Sequence, residues 1–166
     1  MKIATLGDSM QSLLDLFVEY LPTFNVEVPD SRYVGAGQIP WDGESLTIYL
    51  SNITAGQPGA PFGLPMQVAS MLSFSATLYV QIIREISNVG TSGGSFGLML
   101  PDTSSMGADG LAAMNDAQGL VRTAVDIFAN YYATDPGEGF KIGDVSPLGP
   151  EGGLAAMRLA LDISLT

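Results

Sequence analysis

The run Ser73-Phe74-Ser75-Ala76-Thr77-Leu78-Tyr79-Val80-Gln81-Ile82 alternates small or polar side chains with apolar ones, without a break. Successive side chains of a strand point to opposite faces. Phe74, Ala76, Leu78, Val80 and Ile82 therefore share one face, and Ser73, Ser75, Thr77, Tyr79 and Gln81 the other. The extended stretch from Leu72 to Ile86 would reach roughly 50 Å at about 3.3 Å per residue. A domain of this size does not require such a strand, so part of a hairpin is expected to project. Upstream, Leu46, Ile48 and Leu50 alternate with Ser45, Thr47, Tyr49 and Ser51 as the partner strand. Downstream, Phe140, Ile142 and Val145 mark a third strand. Met157, Leu159, Leu161, Ile163 and Leu165 mark a fourth, with Arg158, Asp162 and Ser164 on its opposite face. The link Pro147-Leu148-Gly149-Pro150-Glu151-Gly152-Gly153 reads as a turn.

Two segments carry helical spacing. Over residues 8–21, Met10, Leu13, Leu14, Phe17, Val18 and Leu21 form the apolar stripe, with Asp8 as N-cap, Gln11 completing a capping-box pattern and Pro22 as the stop. The longer segment steps through Leu111, Met114, Gln118, Val121, Val125, Phe128 and Tyr132 and ends at Asp135-Pro136-Gly137; each helix thus has one apolar stripe, expected to cover one sheet face. Residues 29–43 read as irregular, punctuated by Gly35, Gly37 and Pro40. Long Gly-rich loops are expected at 54–70 and 88–105, and an unstructured connection of that length is more often functional than accidental. The expected fold class is α+β. It is a single domain over residues 1–166, with a mainly antiparallel sheet of about four strands and two helices on one face. The element order is helix-strand-strand-helix-strand-strand. The other sheet face, with small neutral side chains, is expected to be solvated or to meet another copy.

Composition excludes more than it identifies. A chain of 166 residues is one domain's length. Its 17 acidic and 6 basic residues give a net charge of -11, too few cations to bind nucleic acid through phosphate contacts or to hold an anionic membrane surface. No apolar run reaches the roughly 18 residues of a spanning helix, and the N-terminus lacks a signal-peptide layout. The chain is expected to be soluble and to stay where it is made. It has no histidine and no cysteine, which removes Ser-His-Asp and Cys-His pairs, thiolate or imidazole zinc sites, and disulfides. No metal or cofactor is expected, and no catalytic residue.

Several short motifs weaken under that constraint. Lys2-Ile3-Ala4-Thr5-Leu6-Gly7-Asp8-Ser9 resembles the first block of GDS-type esterases, but Ser9 would need a histidine base that the chain lacks. A capped helix start is the simpler reading. Gly93-Gly94-Ser95-Phe96-Gly97 matches the nucleophile-elbow pattern and fails for the same reason. Gly35-Ala36-Gly37 begins like a dinucleotide fingerprint, but Pro40 takes the third glycine position. Asp109 and Asp116, or Asp135 and Glu138, could meet a hard cation, against the plainer reading as solvated helix or turn residues. Trp41, the one tryptophan, reads either as an anchor packing its loop on the sheet or as an interface aromatic.

An ordered set of features covers nearly the whole chain. Pro29-Asp30 leads to Tyr33-Val34, Gly37, Trp41-Asp42, an alternating strand and Gly56-Gln57-Pro58-Gly59; a long strand then ends in Arg84, a long helix follows, and the 147–153 link precedes a C-terminal strand. Together these resemble the tail terminator (head-to-tail connector) proteins of long-tailed phages infecting actinobacteria. The resemblance implies a structural virion protein in the tail–neck region, assembled in the host cytoplasm. It would form a hexameric ring on the head-proximal end of the tail tube, end tube polymerisation and join the tail to the head-side connector. Its implied partners are copies of itself, the tail tube protein, the head-side connector or stopper, and double-stranded DNA passing through the lumen without specific binding, with no membrane. An acidic lumen would repel DNA phosphates. On this resemblance the contacts fall on Trp41, Gln57, Pro58, Phe62, Leu64, Met66, Phe96, Leu98 and Met99. A head-completion stopper or a tail tube subunit is the neighbouring alternative, and a GDS-type esterase using Ser9 the one from another class.

Overall fold

The computed structural model describes residues 5–55, 74–86, 103–132 and 140–165. Its elements run α1 (Leu6–Tyr20), β1 (Ser31–Gly35), β2 (Ser45–Ala55), β3 (Phe74–Glu85), α2 (Thr103–Ile127), β4 (Phe140–Glu151) and β5 (Leu154–Leu165). The five strands form one sheet in the order β1-β2-β3-β5-β4. Only β1 is parallel to its neighbour; the other pairings are antiparallel. The α+β class holds, with one strand more than the periodicity indicated.

The long alternating run is the centre of the sheet. β3 pairs with β2 on one side and β5 on the other, Leu78 opposite both Leu50 and Leu161 and Val80 opposite Ile48 and Leu159. It does not project beyond its partners, because β5 flanks it from Phe74 to Glu85 and β2 from Phe74 to Ile83. Ala76, Leu78, Val80 and Ile82 join Leu46, Ile48, Leu159, Leu161 and Ile163 in one core with both helices.

Three local readings are corrected. Residues 31–35 are a strand, not irregular chain: Ser31–Gly35 pairs residue for residue with Ser45–Tyr49. A five-residue strand at the sheet edge shows no long alternation, which hid it. The 147–153 link is mostly strand. β4 continues to Glu151, and the turn is Gly152-Gly153, both at positive φ (57° and 80°), as a tight hairpin turn requires. Pro147 and Pro150 are tolerated because β4 is the other sheet edge, where a missing N–H breaks no inner ladder, and the Gly149–Pro150 bond is cis. Helix α1 starts earlier than the sequence indicated. Thr5, not Asp8, is the N-cap; its Oγ1 accepts from the Asp8 N–H at 3.1 Å, and Asp8 Oδ2 accepts from the Thr5 N–H at 3.2 Å.

One bound of each expected loop shifts. Thr54 and Ala55 belong to β2, where Thr54 Oγ1 bonds Ser75 Oγ at 2.8 Å, and α2 already begins at Thr103. The second sheet face is not a solvated surface either. Ser45, Thr47, Tyr49, Gln81, Ile83 and Ala156 on it are buried.

Candidate interaction surface

Arg84 closes one end of the molecule. It is the penultimate residue of β3, and its guanidinium reaches Asp116 of α2 with two bonds, Nε to Oδ2 at 3.0 Å and Nη2 to Oδ1 at 3.1 Å. Nη2 also donates to the Glu27 carbonyl in the connection that follows α1. One side chain thereby ties sheet, helix and linker. Burial works against the Arg84 cation, but the hydrogen bonds and charge of Asp116 outweigh it and hold the guanidinium above its ordinary pKa. Asp116 is therefore neither solvated nor a metal ligand: it is buried in an ion pair. Sequence periodicity could not find this contact, because the two residues lie 32 positions apart.

This pair floors a cleft of about 570 Å³ at the sheet end. Ile82, Leu148, Met157 and Ala113 supply apolar wall, while Glu27, Glu44, Glu85 and Asp109 bring carboxylates to the rim. Glu44 Oε1 accepts from the Glu85 N–H at 3.2 Å, which fixes one of them. Among the described residues no group of three or more carboxylates is placed to hold a metal ion.

Trp41 stands beside this cleft. It is half-buried, and its ring lies against the β4–β5 hairpin: a Cβ at Gly149 would stand 3.3 Å from Trp41 Cζ3. Gly149 is at φ +91°, so a side chain there would be strained as well as crowded. The hairpin turn is pinned from the other side by the Ile86 N–H, which donates to the Gly153 carbonyl at 2.9 Å. Gln57, Pro58, Phe62, Leu64, Met66, Phe96, Leu98 and Met99 lie outside the described residues, as do Gly93–Gly97, Asp135 and Glu138. Ser9 sits within the first turn and a half of α1, half-buried, its N–H donating to the Thr5 carbonyl at 3.0 Å.

The largest departure from expectation is the orientation of α2. Its longest apolar stripe, read from the sequence as the core face, points away from the sheet. Leu111 is 67% exposed, Met114 58% and Val125 48%, and Val121 and Gln118 are exposed with them, as is Phe128 at the start of the π-helical turn Phe128–Tyr132 that continues α2. The buried face is instead Asp116, Gly119, Leu120, Thr123, Ala124 and Ile127. Two contacts lock that rotation: the Arg84–Asp116 pair, and Gly119, where a Cβ would fall 2.2 Å from Val26 Cγ2. Along the outward face Arg122 leans over the Phe24 ring, 6.0 Å from its centroid. Phe128 rests one side of its ring on Phe140 at 5.8 Å.

The second sheet face carries its own polar cluster. The Arg158 guanidinium lies 4.3 Å over the Tyr79 ring, and Nη1 donates to the Tyr49 hydroxyl at 3.4 Å. Thr77 Oγ1 donates to Asp162 at 2.6 Å. Thr47 Oγ1, Gln81 Oε1 and Arg158 Nε are buried without a hydrogen-bond partner among the described residues.

No protein-family model matches the chain, and no curated protein is detectably similar to it. No helix among the described residues is long and apolar enough to cross a membrane.

Proposed function

We propose that this protein is a structural subunit that works by contact with copies of itself and with neighbouring proteins, and specifically a phage tail terminator. In this role it would form a hexameric ring on the head-proximal end of the tail tube, stop tube growth, and present a surface to the head-side connector. DNA would pass through the bore unbound. The observation that carries the reading is the outward apolar face of α2, an exposed stripe on an otherwise acidic molecule. The chain's lack of histidine and cysteine favours contact over catalysis, since Ser9 has no imidazole to take its proton. The acidic surplus suits a conduit that must not retain DNA. The ordered sequence features that resemble terminators supply the specific assignment, with a head-completion stopper or tube subunit as the neighbouring role.

Negative-stain imaging of the protein mixed with polymerising tail tube subunits tests this. A terminator gives short tubes capped at one end by a closed ring. Uncapped tubes of unchanged length would reject the terminator role, and co-polymerisation into the tube wall would assign a tube subunit. An ester-hydrolysis assay with Ser9→Ala covers the enzymatic alternative: activity present in the parent and lost in the variant would overturn the structural reading.

A further inference from the structure

We infer that in solution two copies of this chain pair through the outward face of α2, with the helices antiparallel about a two-fold axis between Gln118 and Val121. This goes beyond the ring reading. A two-fold contact pairs copies and cannot close a ring, so it describes the free protein before docking, and docking would have to open it.

Spacing identifies the occupant as a helix. Leu111, Met114, Gln118, Val121, Val125 and Phe128 step by three, four, three, four and three residues, a mean near the 3.5 of a coiled-coil seam. The seam runs for about 26 Å at 1.5 Å per residue. A flat sheet or an irregular loop would have no use for that period, whereas a second helix crossing at roughly 20° takes it along its full length.

Charge identifies the helix as this chain's own. At a net charge of -11, two copies repel wherever carboxylates face each other. Between Asp109 and Asp126, which flank the middle of the seam, the only carboxylate is Asp116, and it is turned inward onto Arg84; the one exposed charge on that stretch is Arg122. This is a strip on which the acidic molecule can meet itself.

The seam is also complementary to itself when reversed. Antiparallel pairing sets Leu111 against the second copy's Phe128, Met114 against its Val125, and Gln118 against its Val121, so large side chains face smaller or flatter ones. Opposed helix dipoles favour the same direction. Gln118, polar and beside the axis, fixes the register as a single polar seam residue does. The seam is one helix wide and about 26 Å long, a narrow apolar patch of the kind that marks a contact. A specific interface needs about 800 Å² per partner, so the pair is weak and reversible.

The absence of native cysteine makes the test direct, because an introduced thiol is the only one present. Met114→Cys and Val125→Cys each replace an exposed side chain. Under mild oxidation a mixture of the two variants is expected to form a disulfide-linked dimer. Each variant alone is expected to stay uncrosslinked, because like positions then lie about 16 Å apart along the axis, beyond disulfide reach. Light scattering of the parent chain should show a concentration-dependent dimer, and Val125→Glu a monomer with an unchanged circular dichroism spectrum. Efficient self-crosslinking of Met114→Cys alone, dimerisation of Val125→Glu equal to the parent, or a parent chain that is monomeric at every concentration would each overturn the pairing. A monomeric parent that still caps tubes would sink the pairing and leave the terminator reading standing.

Discussion

Helices α1 and α2 lie on the same side of one sheet, yet they spend their apolar residues in opposite ways. In α1 the stripe read from the sequence is the stripe that is buried: Met10, Leu13, Leu14 and Phe17 all face the core. In α2 the more regular stripe faces out, and the sheet is met by a face that contains an aspartate, a threonine and a glycine among Leu120, Ala124 and Ile127. Apolar periodicity therefore does not by itself say which face of a helix meets its own sheet. In α1 the contact is internal. In α2 the internal contact is set by an ion pair and a close approach, which leaves the apolar seam exposed.

The comparison breaks most visibly at the inward contacts. Phe17→Ala, at a fully buried position, is expected to lower unfolding stability by about 3–5 kcal/mol in denaturant melts. Arg84→Ala should cost a similar amount, about 3–5 kcal/mol, because it leaves the Asp116 carboxylate buried without its partner. The pair resists alkali: a guanidinium pKa held above its ordinary value contributes its stability at every pH below that range, and loses it only as pH rises through the raised value. Gly119→Ala sharpens the account of the helix rotation. Its methyl would overlap Val26, so a loss of about 1–3 kcal/mol is expected, and Val26→Ala in the same chain should recover part of it.

The smallest effect lies at the edge of the outward face. Tyr131 raises the Tyr20 phenol above its ordinary pKa, first through a hydrogen bond, with desolvation adding to it. Ultraviolet titration should show this phenol ionising late, and Tyr131→Phe should bring it back toward the ordinary value. Any stability it adds is present below the ordinary phenol range and is lost as pH rises through the raised value.

These contrasts also mark what the sequence could reveal. The central and C-terminal strands were legible because a long unbroken alternation has one reading: Ala76, Leu78, Val80 and Ile82 lie in the core with Leu159, Leu161 and Ile163, and Met157 packs against it. β1 was not, since Ser31–Gly35 has no amphipathic pattern and is defined by its neighbour. The 147–153 link was misread because proline and glycine signal turns on average, while an edge strand can hold both. The Arg84–Asp116 contact left no local trace, and without it nothing in α2 told inner face from outer. Of the contact residues expected from the resemblance, Trp41 lies half-buried against the β4–β5 hairpin, and the other eight lie outside the described residues.

The central claim is that the apolar seam of α2 serves a partner and not the fold. Thermal unfolding of Met114→Glu/Val125→Glu at low protein concentration, beside Phe17→Ala, tests it most directly. The account predicts a midpoint within a few degrees of the parent for the double variant, since exposed substitutions shift stability by only about 0.5 kcal/mol each, and a large drop for Phe17→Ala. A double variant that melts as early as Phe17→Ala would mean that the seam belongs to the core, and the account would be wrong.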